Sequence, residues 1–427
     1  KSWKRKSENN LEELDMSYSE WRSVKLSDIS FITMGQSPKS EFYNSHGDGV
    51  PFMQGRTTFG YKYHGIDTWC TKPTRMADKN SILMSVRAPV GDVNIATQDL
   101  CIGRGLAALN MKNGNNEFLY YLLLHEKQNL ISRETGTVFG SINKAGLENL
   151  EITIPDDNEQ RAIANILSSL DEKIELNNQM NETLEEMAQA LFKRWFVDFE
   201  FPNAEGQPYK SSGGEMVESE LGMIPKGWEF KKLEDICLFN KFSLNKKDKI
   251  LNISYLDTSN ITQNKIDSIQ KLVVGQDKIP SRAKRKIRNN SIVYSTVRPN
   301  QLHYGILKNP NSNLIVSTGF VVIDETENYH CNDLIYYYLT QTIITEKLQA
   351  IGETSTSTYP SIKASDIQSL QILLPKDMDL LNKLCDTLGS INDKINQNNE
   401  EGKVIQELRD ILLPKLMSGE IRVSDLC

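Results

Sequence analysis

The segment from Ile163 to Trp195 contains no proline and no glycine, and its apolar positions keep one spacing throughout. The seam reads Ile163, Leu167, Leu170, Ile174, Asn177, Asn181, Leu184, Ala188, Leu191 and Trp195. Steps of four and three alternate, as at the a and d positions of a coiled coil. With no helix breaker, the segment predicts one helix of roughly 48 Å, at about 1.5 Å per residue. Adding 221 to each number gives Leu384, Leu388, Ile391, Ile395, Asn398, Gly402, Ile405, Arg409, Leu412 and Leu416. Only Gly402 and Arg409 depart from the pattern of apolar residues and asparagine. The chain thus carries two long helices of one design. Two unrelated amphipathic helices would satisfy each run separately, but the shared phase and the matched asparagines predict a mutual pair. A polar residue at one seam position sets register, so Asn177 and Asn398 are expected to fix how the helices align.

The rest of the chain repeats as well. WRSVKLSDI at 21–29 returns as WEFKKLEDI at 228–236, and SILMSVRAP at 81–89 as SIVYSTVRP at 291–299. Both of the latter read as strands, placing Arg87 and Arg298 at matched strand ends before Pro89 and Pro299. Aromatic-rich helices are expected at 117–131 and 333–349, then Gly/Thr/Ser loops at 134–144 and 352–363. Short strands close at Pro155 and Pro375. The division expected is an arm at 1–20, a domain at 21–155, a helix at 156–200 and a linker at 201–227. A second domain follows at 228–375, a second helix at 376–417 and a tail at 418–427. Pro414 is expected to kink or stop the second helix. The class is α+β.

The chain has 427 residues and a net charge of −7, which alone argues against nucleic acid. The distribution argues otherwise. Residues 21–155 hold 14 Lys+Arg against 12 Asp+Glu, and 228–375 hold 18 against 14. The acid sits in 156–200, with 4 against 11, and in 376–427, with 7 against 10. Mildly basic domains suit DNA, and acidic helices suit protein partners or a solvated face. Six cysteines without a CxxC pair suit reduced thiols in the cytosol. The start, KSWKRKSENN, is basic without an apolar stretch, so no signal peptide is expected. It also lacks an initiator Met, as if trimmed.

Catalytic sets are missing. There is no GxxxxGK[ST], no GxGxxG at a strand-to-helix turn, no GxSxG and no Asn/Asp-Pro-Pro-aromatic signature. The five histidines fit no ligand spacing, so no metal is expected. Pro155-Asp156 followed by Asp171-Glu172-Lys173 imitates a nuclease site, but on a helix the two aspartates would stand roughly 22 Å apart.

Four segments carry a resemblance: PDDNEQRAIANILSSLDEKIELNN at 155–178, ALFKRWFVDFEFPN at 190–203, LGMIPKGWEFKKLEDI at 221–236 and PKLMSGEIRV at 414–423. With GQSP at 35–38, they make the chain similar over nearly its whole length to the specificity subunit of type I restriction–modification enzymes. PKDMDLLNKL departs from the family's usual opening of the second helix. The resemblance implies two target-recognition domains that read the halves of a split DNA site. It implies an antiparallel coiled coil joining them with pseudo-two-fold symmetry. It implies docking of two modification subunits that hold S-adenosylmethionine and methylate adenine N6, with motor-nuclease subunits joining for cleavage. No cofactor is expected on this chain, and the location expected is cytoplasmic.

Contacts to DNA are expected from polar and basic residues on domain loops. In the first domain the long segment 35–65 offers Gln36, Ser37, Tyr43, Gln54, Arg56, Thr57, Tyr61 and Lys62. Arg87, Thr135, Thr137, Ser141 and Asn143 join them. In the second domain the basic run supplies Arg282, Lys284, Arg285, Lys286 and Arg288. Arg298, Ser355, Thr356, Ser357, Thr358, Tyr359 and Ser361 follow, with Tyr255 and Asn260 as further candidates. Arg87 and Arg298 suit structural salt bridges equally well. Two other functions fit the layout: a coiled-coil scaffold whose domains bind proteins, and a detached specificity module of another restriction enzyme.

Overall fold

A computed structural model describes residues 21–133, 140–220, 222–245, 248, 250–355 and 359–425. The chain forms two compact units, residues 1–177 with 401–427 and residues 178–400. The division cuts both long helices, Asp157–Phe192 and Met378–Ser418, so each unit holds a part of each.

In the first unit, strand Arg22–Lys25 pairs antiparallel with Glu151–Ile154, tying the start of the domain to its end. A four-stranded sheet follows in the order Ser30–Met34, Leu106–Met111, Ile82–Ser85, Val93–Ile95. Its central strand Ile82–Ser85 is buried on both faces, and the alternation of strand side chains decides what each residue meets. Ile82 and Met84 join Phe118, Leu119 and Leu122 of helix Asn116–His125. Leu83 points the other way, to Met53, Leu100 and Ile102. Those three belong to a second sheet, ordered Tyr43–Asn44, Trp69–Cys70, Val50–Met53, Leu100–Ile102, Met76–Ala77. In it Val50–Met53 and Leu100–Ile102 run parallel.

The second unit repeats this plan. Trp228–Lys232 pairs with Gln371–Pro375. The four-stranded sheet runs Cys237–Phe239, Phe320–Glu325, Ser291–Ser295, Tyr304–Leu307. Ile292 and Tyr294 face helix Asn332–Leu339, while Val293 faces Leu256 and Val316 of the second sheet. That sheet contains the same parallel pair, Asn252–Leu256 beside Leu314–Ser317. The fold is thus α+β with a duplicated domain.

Each domain takes helix ends into its core. Ile163, Ala164, Leu167, Leu416 and Met417 belong to the core of the first unit. Ala188, Phe192, Leu381, Leu384 and Leu388 belong to that of the second. Within each unit the helical segments run antiparallel. In the first, Asp171 meets Arg409 and Asn177 meets Glu401. In the second, Asn181 meets Asn398 and Asn399.

Three expectations change. The second helix continues through Pro414 to Ser418, because Leu416 and Met417 beyond it are still anchored in the core. Segment 201–227 contains more than a linker: Met216–Ser219 pairs with Gly222–Pro225, and Phe201 packs on Tyr209 and Trp228. Segment 35–65 is not one long loop. It holds the short turn Ser40–Phe42, two strands of the second sheet and the turn Arg56–Thr58.

Candidate DNA interface

The first domain presents a strip of surface at the ends of its buried strands, joined by backbone hydrogen bonds. Ile102 N–H donates to the Arg75 carbonyl, Gln36 N–H to the Ile102 carbonyl and Gly105 N–H to that of Gln54, at 2.9, 2.9 and 3.1 Å. Val86 N–H donates to Gly105, and Arg87 bridges to Ser141. Backbones pack closely here: a Cβ on Gly105 would lie 2.6 Å from the Gln54 carbonyl oxygen. Side chains complete the strip. Ser37 Oγ donates to Gln54 Oε1 at 2.9 Å and accepts from Arg104 N–H at 3.1 Å. Thr74 donates to the Gln36 carbonyl. Arg75, Arg87 and Arg104 are exposed, and none has a carboxylate within ion-pair distance among the described residues.

The second domain has the corresponding strip. Thr318 N–H donates to the Arg282 carbonyl, Thr296 N–H to Gly319 and Arg298 N–H to Pro360, at 2.9, 2.8 and 2.9 Å. Val297 bridges to Ser361. Arg298 adopts a left-handed backbone, φ 50°, and its guanidinium lies 4.3 Å from the ring centre of Tyr359, which is 53% exposed. An arginine plane on an exposed aromatic ring suits stacking and phosphate contact alike.

The strips correct the pairing of Arg87 with Arg298. Val86 and Thr296 make the same bonds, so Arg87 corresponds to Val297 and Arg298 to Ala88. The matched arginines are instead Arg75 and Arg282. Each directly precedes an edge strand of the second sheet, Met76–Ala77 or Ala283–Lys286, although the pairing differs: Met76 faces Cys101, whereas Ala283 faces Ser317, two positions farther along the partner strand. Neither Arg75 nor Arg104 was singled out by sequence. For Arg75 a signal existed: Pro73-Thr74-Arg75 recurs as Pro280-Ser281-Arg282.

Several sequence candidates lie elsewhere. Lys62 is 1% exposed and pairs with Glu117 at 2.9 Å beneath Tyr120 and Tyr121. The Tyr61 hydroxyl donates to Asp171 Oδ1 at 3.0 Å and accepts from Arg409 at 2.6 Å. Burial, then the Asp171 carboxylate, pushes that hydroxyl far above its usual range. Tyr61 therefore joins the domain to both long helices, whereas Lys62 is buried within the domain. Tyr255 is 2% exposed and belongs to the core. The basic run is a strand, so its side chains alternate. Lys286 is held by Asp248 at 2.6 Å. Arg285 turns inward, and burial lowers its pKa. Arg288 lies on Phe242, while Arg282 and Lys284 stay exposed.

Arg56 shares Asp92 with Lys127, both at 2.6 Å, and Thr57 follows it exposed in the same turn. Tyr43 stacks on Phe52 and donates to the Pro38 carbonyl. Asn143 caps helix Lys144–Glu148 by accepting from Gly146 N–H. Asn260 donates to Ser268 at 2.6 Å, and the Ser355 hydroxyl lies 3.4 Å from that of Ser361. Thr135, Thr137, Thr356, Ser357 and Thr358 lie outside the described residues. The nuclease-like Asp171 is fully buried against Arg409, and Asp156 caps its helix. No group of three or more potential metal ligands occurs among the described residues.

Comparison with known proteins identifies the family. Residues 18–186 and 225–400 match the family described as Type I restriction modification DNA specificity domain. The MjaIX specificity subunit of a type I restriction enzyme from Methanocaldococcus jannaschii is 28% identical over 95% of both chains. The HindI specificity subunit of Haemophilus influenzae is 28% identical over 71% of this chain and 77% of its own. The crystal structure of a type I restriction–modification S subunit from M. genitalium covers 94% of this chain and 97% of its own, with a TM-score of 0.59 at 19% identity. The chain therefore belongs to the family of type I restriction–modification specificity subunits, the non-catalytic subunits that recognise the DNA target.

Proposed function

We propose that residues 21–155 and 228–375 each read one half of a split duplex site, through the strips that carry Arg75 and Arg282. The observation that carries this reading is the recurrence of an exposed arginine, after Pro-Thr or Pro-Ser, directly before the edge strand of each second sheet. Phosphate contacts set affinity and position, and nearby amides and hydroxyls, such as Gln36, Gln54 and Ser361, supply base-edge contacts. Asn177 and Asn398 set the helix register: the Asn177 amide donates to Glu401 at 3.0 Å and that of Asn398 to Asn181 at 2.9 Å.

The partners proposed are two modification subunits carrying S-adenosylmethionine for adenine-N6 methylation, with motor-nuclease subunits added for restriction. Val404, Leu408 and Ile411 lie at helical spacing and are exposed, an apolar face suited to such a partner. The location proposed is cytoplasmic; among the described residues no helix is long and apolar enough to cross a membrane. The test is to express the chain with its modification subunit and map methylated adenines. Sites sharing a two-part sequence support the reading. Methylation without such a sequence contradicts it.

A further inference from the structure

The two long helices carry nearly the same seam, so whatever makes the first helix pair with the second, and not with its own copy in another chain, must lie where the seams differ. In both units, opposed positions keep a constant sum of residue numbers: Asp171 meets Arg409, and Asn181 meets Asn399. Under the offset of 221, Asp171 corresponds to Asn392 and Arg409 to Ala188. The same rule sets Ala188 opposite Asn392. In the second unit the Tyr337 hydroxyl marks that place, 2.6 Å from Asn392 Oδ1 and 3.4 Å from Glu185, one turn before Ala188. One seam position is thus a charged pair and its counterpart is neutral and small.

We propose that Asp171 and Arg409 sort the helices, favouring first with second and rejecting a second copy of the like half. The Asp171 side chain is 0% exposed and that of Arg409 is 12% exposed, with 2.9 Å between them. Self-pairing of the first helix would set Asp171 against Ala188, burying a carboxylate with no cation. Self-pairing of the second would set Arg409 against Asn392, where the nearby carboxylate, Asp333, is already bonded to Asn392 at 2.7 Å and paired with Lys308 at 2.8 Å. A buried charge that loses its partner is strongly unfavourable, and polar seam residues set partner choice in coiled coils. Tyr61 and Tyr121, which donate to Asp171 at 3.0 and 2.6 Å, come from the first domain. They would accompany Asp171 into a self-pair but cannot neutralise it. The other departure within the seam, Gly402, carries no charge.

The test is the full-length double variant D171N/R409A. It gives the first unit the Asn/Ala combination that the second already accommodates, so like and unlike pairing become equivalent at both positions. Wild-type and variant chains are refolded from denaturant over a range of concentrations, and their mass is read by light scattering after gel filtration. Isotopically light and heavy copies are then refolded together and crosslinked through lysine. The expected result is a several-fold larger dimer fraction in the variant, with links between Lys173 of one copy and Lys193 of the other. A variant that refolds to the wild-type monomer fraction would overturn the proposal. So would dimers lacking those links, or a variant that does not fold, since the pair would then act only in stability.

Discussion

The Tyr121 hydroxyl donates to Asp171 Oδ2 across 2.6 Å, fastening the first domain to the first long helix. Its counterpart in the second unit is Tyr337, at the same 2.6 Å from Asn392. The nearer acceptor is a buried carboxylate in one case and an amide in the other, the Glu185 carboxylate lying farther from Tyr337, at 3.4 Å. Hydrogen bonds to charged groups contribute about 1.5–3 kcal/mol and neutral ones about 0.5–1.5 kcal/mol. Tyr121→Phe should therefore destabilise its unit more than Tyr337→Phe does, each by an amount in those ranges. Urea unfolding followed by fluorescence measures both, and equal losses would contradict the assignment.

Much of this architecture is legible in the sequence. Heptad spacing locates both helices, because residues such as Ile163, Leu167 and Leu384 must face a core whatever the topology. The joint is not legible. Tyr61 and Lys62 read as surface residues because their partners, Asp171 with Arg409 and Glu117, are distant in sequence, and no periodicity connects them. The strand Ala283–Lys286 reads as a uniform basic patch, whereas alternation and Asp248 leave only part of its charge free. Arg75 and Arg282 are matched by the short Pro-Thr/Ser-Arg repeat and by the edge strand that follows each, which only the sheet order reveals as an edge.

Glu185 gives the second unit a pH response. Burial raises its pKa against the hydrogen bonds that lower it. The folded state thus holds this proton more tightly than the unfolded chain, whose value is about 4.3. The penalty on the charged form is full above the folded pKa and disappears as pH falls towards the unfolded value. Glu185→Gln should be more stable than wild type near neutrality, with a gain that shrinks on acidification. Denaturant midpoints at several pH values check this; a gain that grows as pH falls would contradict it.

Arg75→Ala and Arg282→Ala should each weaken duplex binding by the assembled complex and flatten its salt dependence. Removing a cation that neutralises one phosphate reduces the slope of log affinity against log salt by about 0.9. Lys286→Ala should change the slope less, because Asp248 already offsets that charge. Titrations of duplex at four or five salt concentrations separate these cases. Equal slopes for all three variants and the wild type would exclude the strips as the phosphate-binding surface.

The central claim is that each domain reads its own half of the DNA site. The most direct measurement exchanges residues 21–155 for the corresponding domain of a relative, leaving both long helices and residues 228–375 in place. The exchanged chain and the wild type are each expressed with the modification subunit, and methylated adenines are mapped across the host genome. The account predicts that one half of the recognised sequence changes while the other half stays as in the wild type. A change in both halves, or in neither, would contradict it.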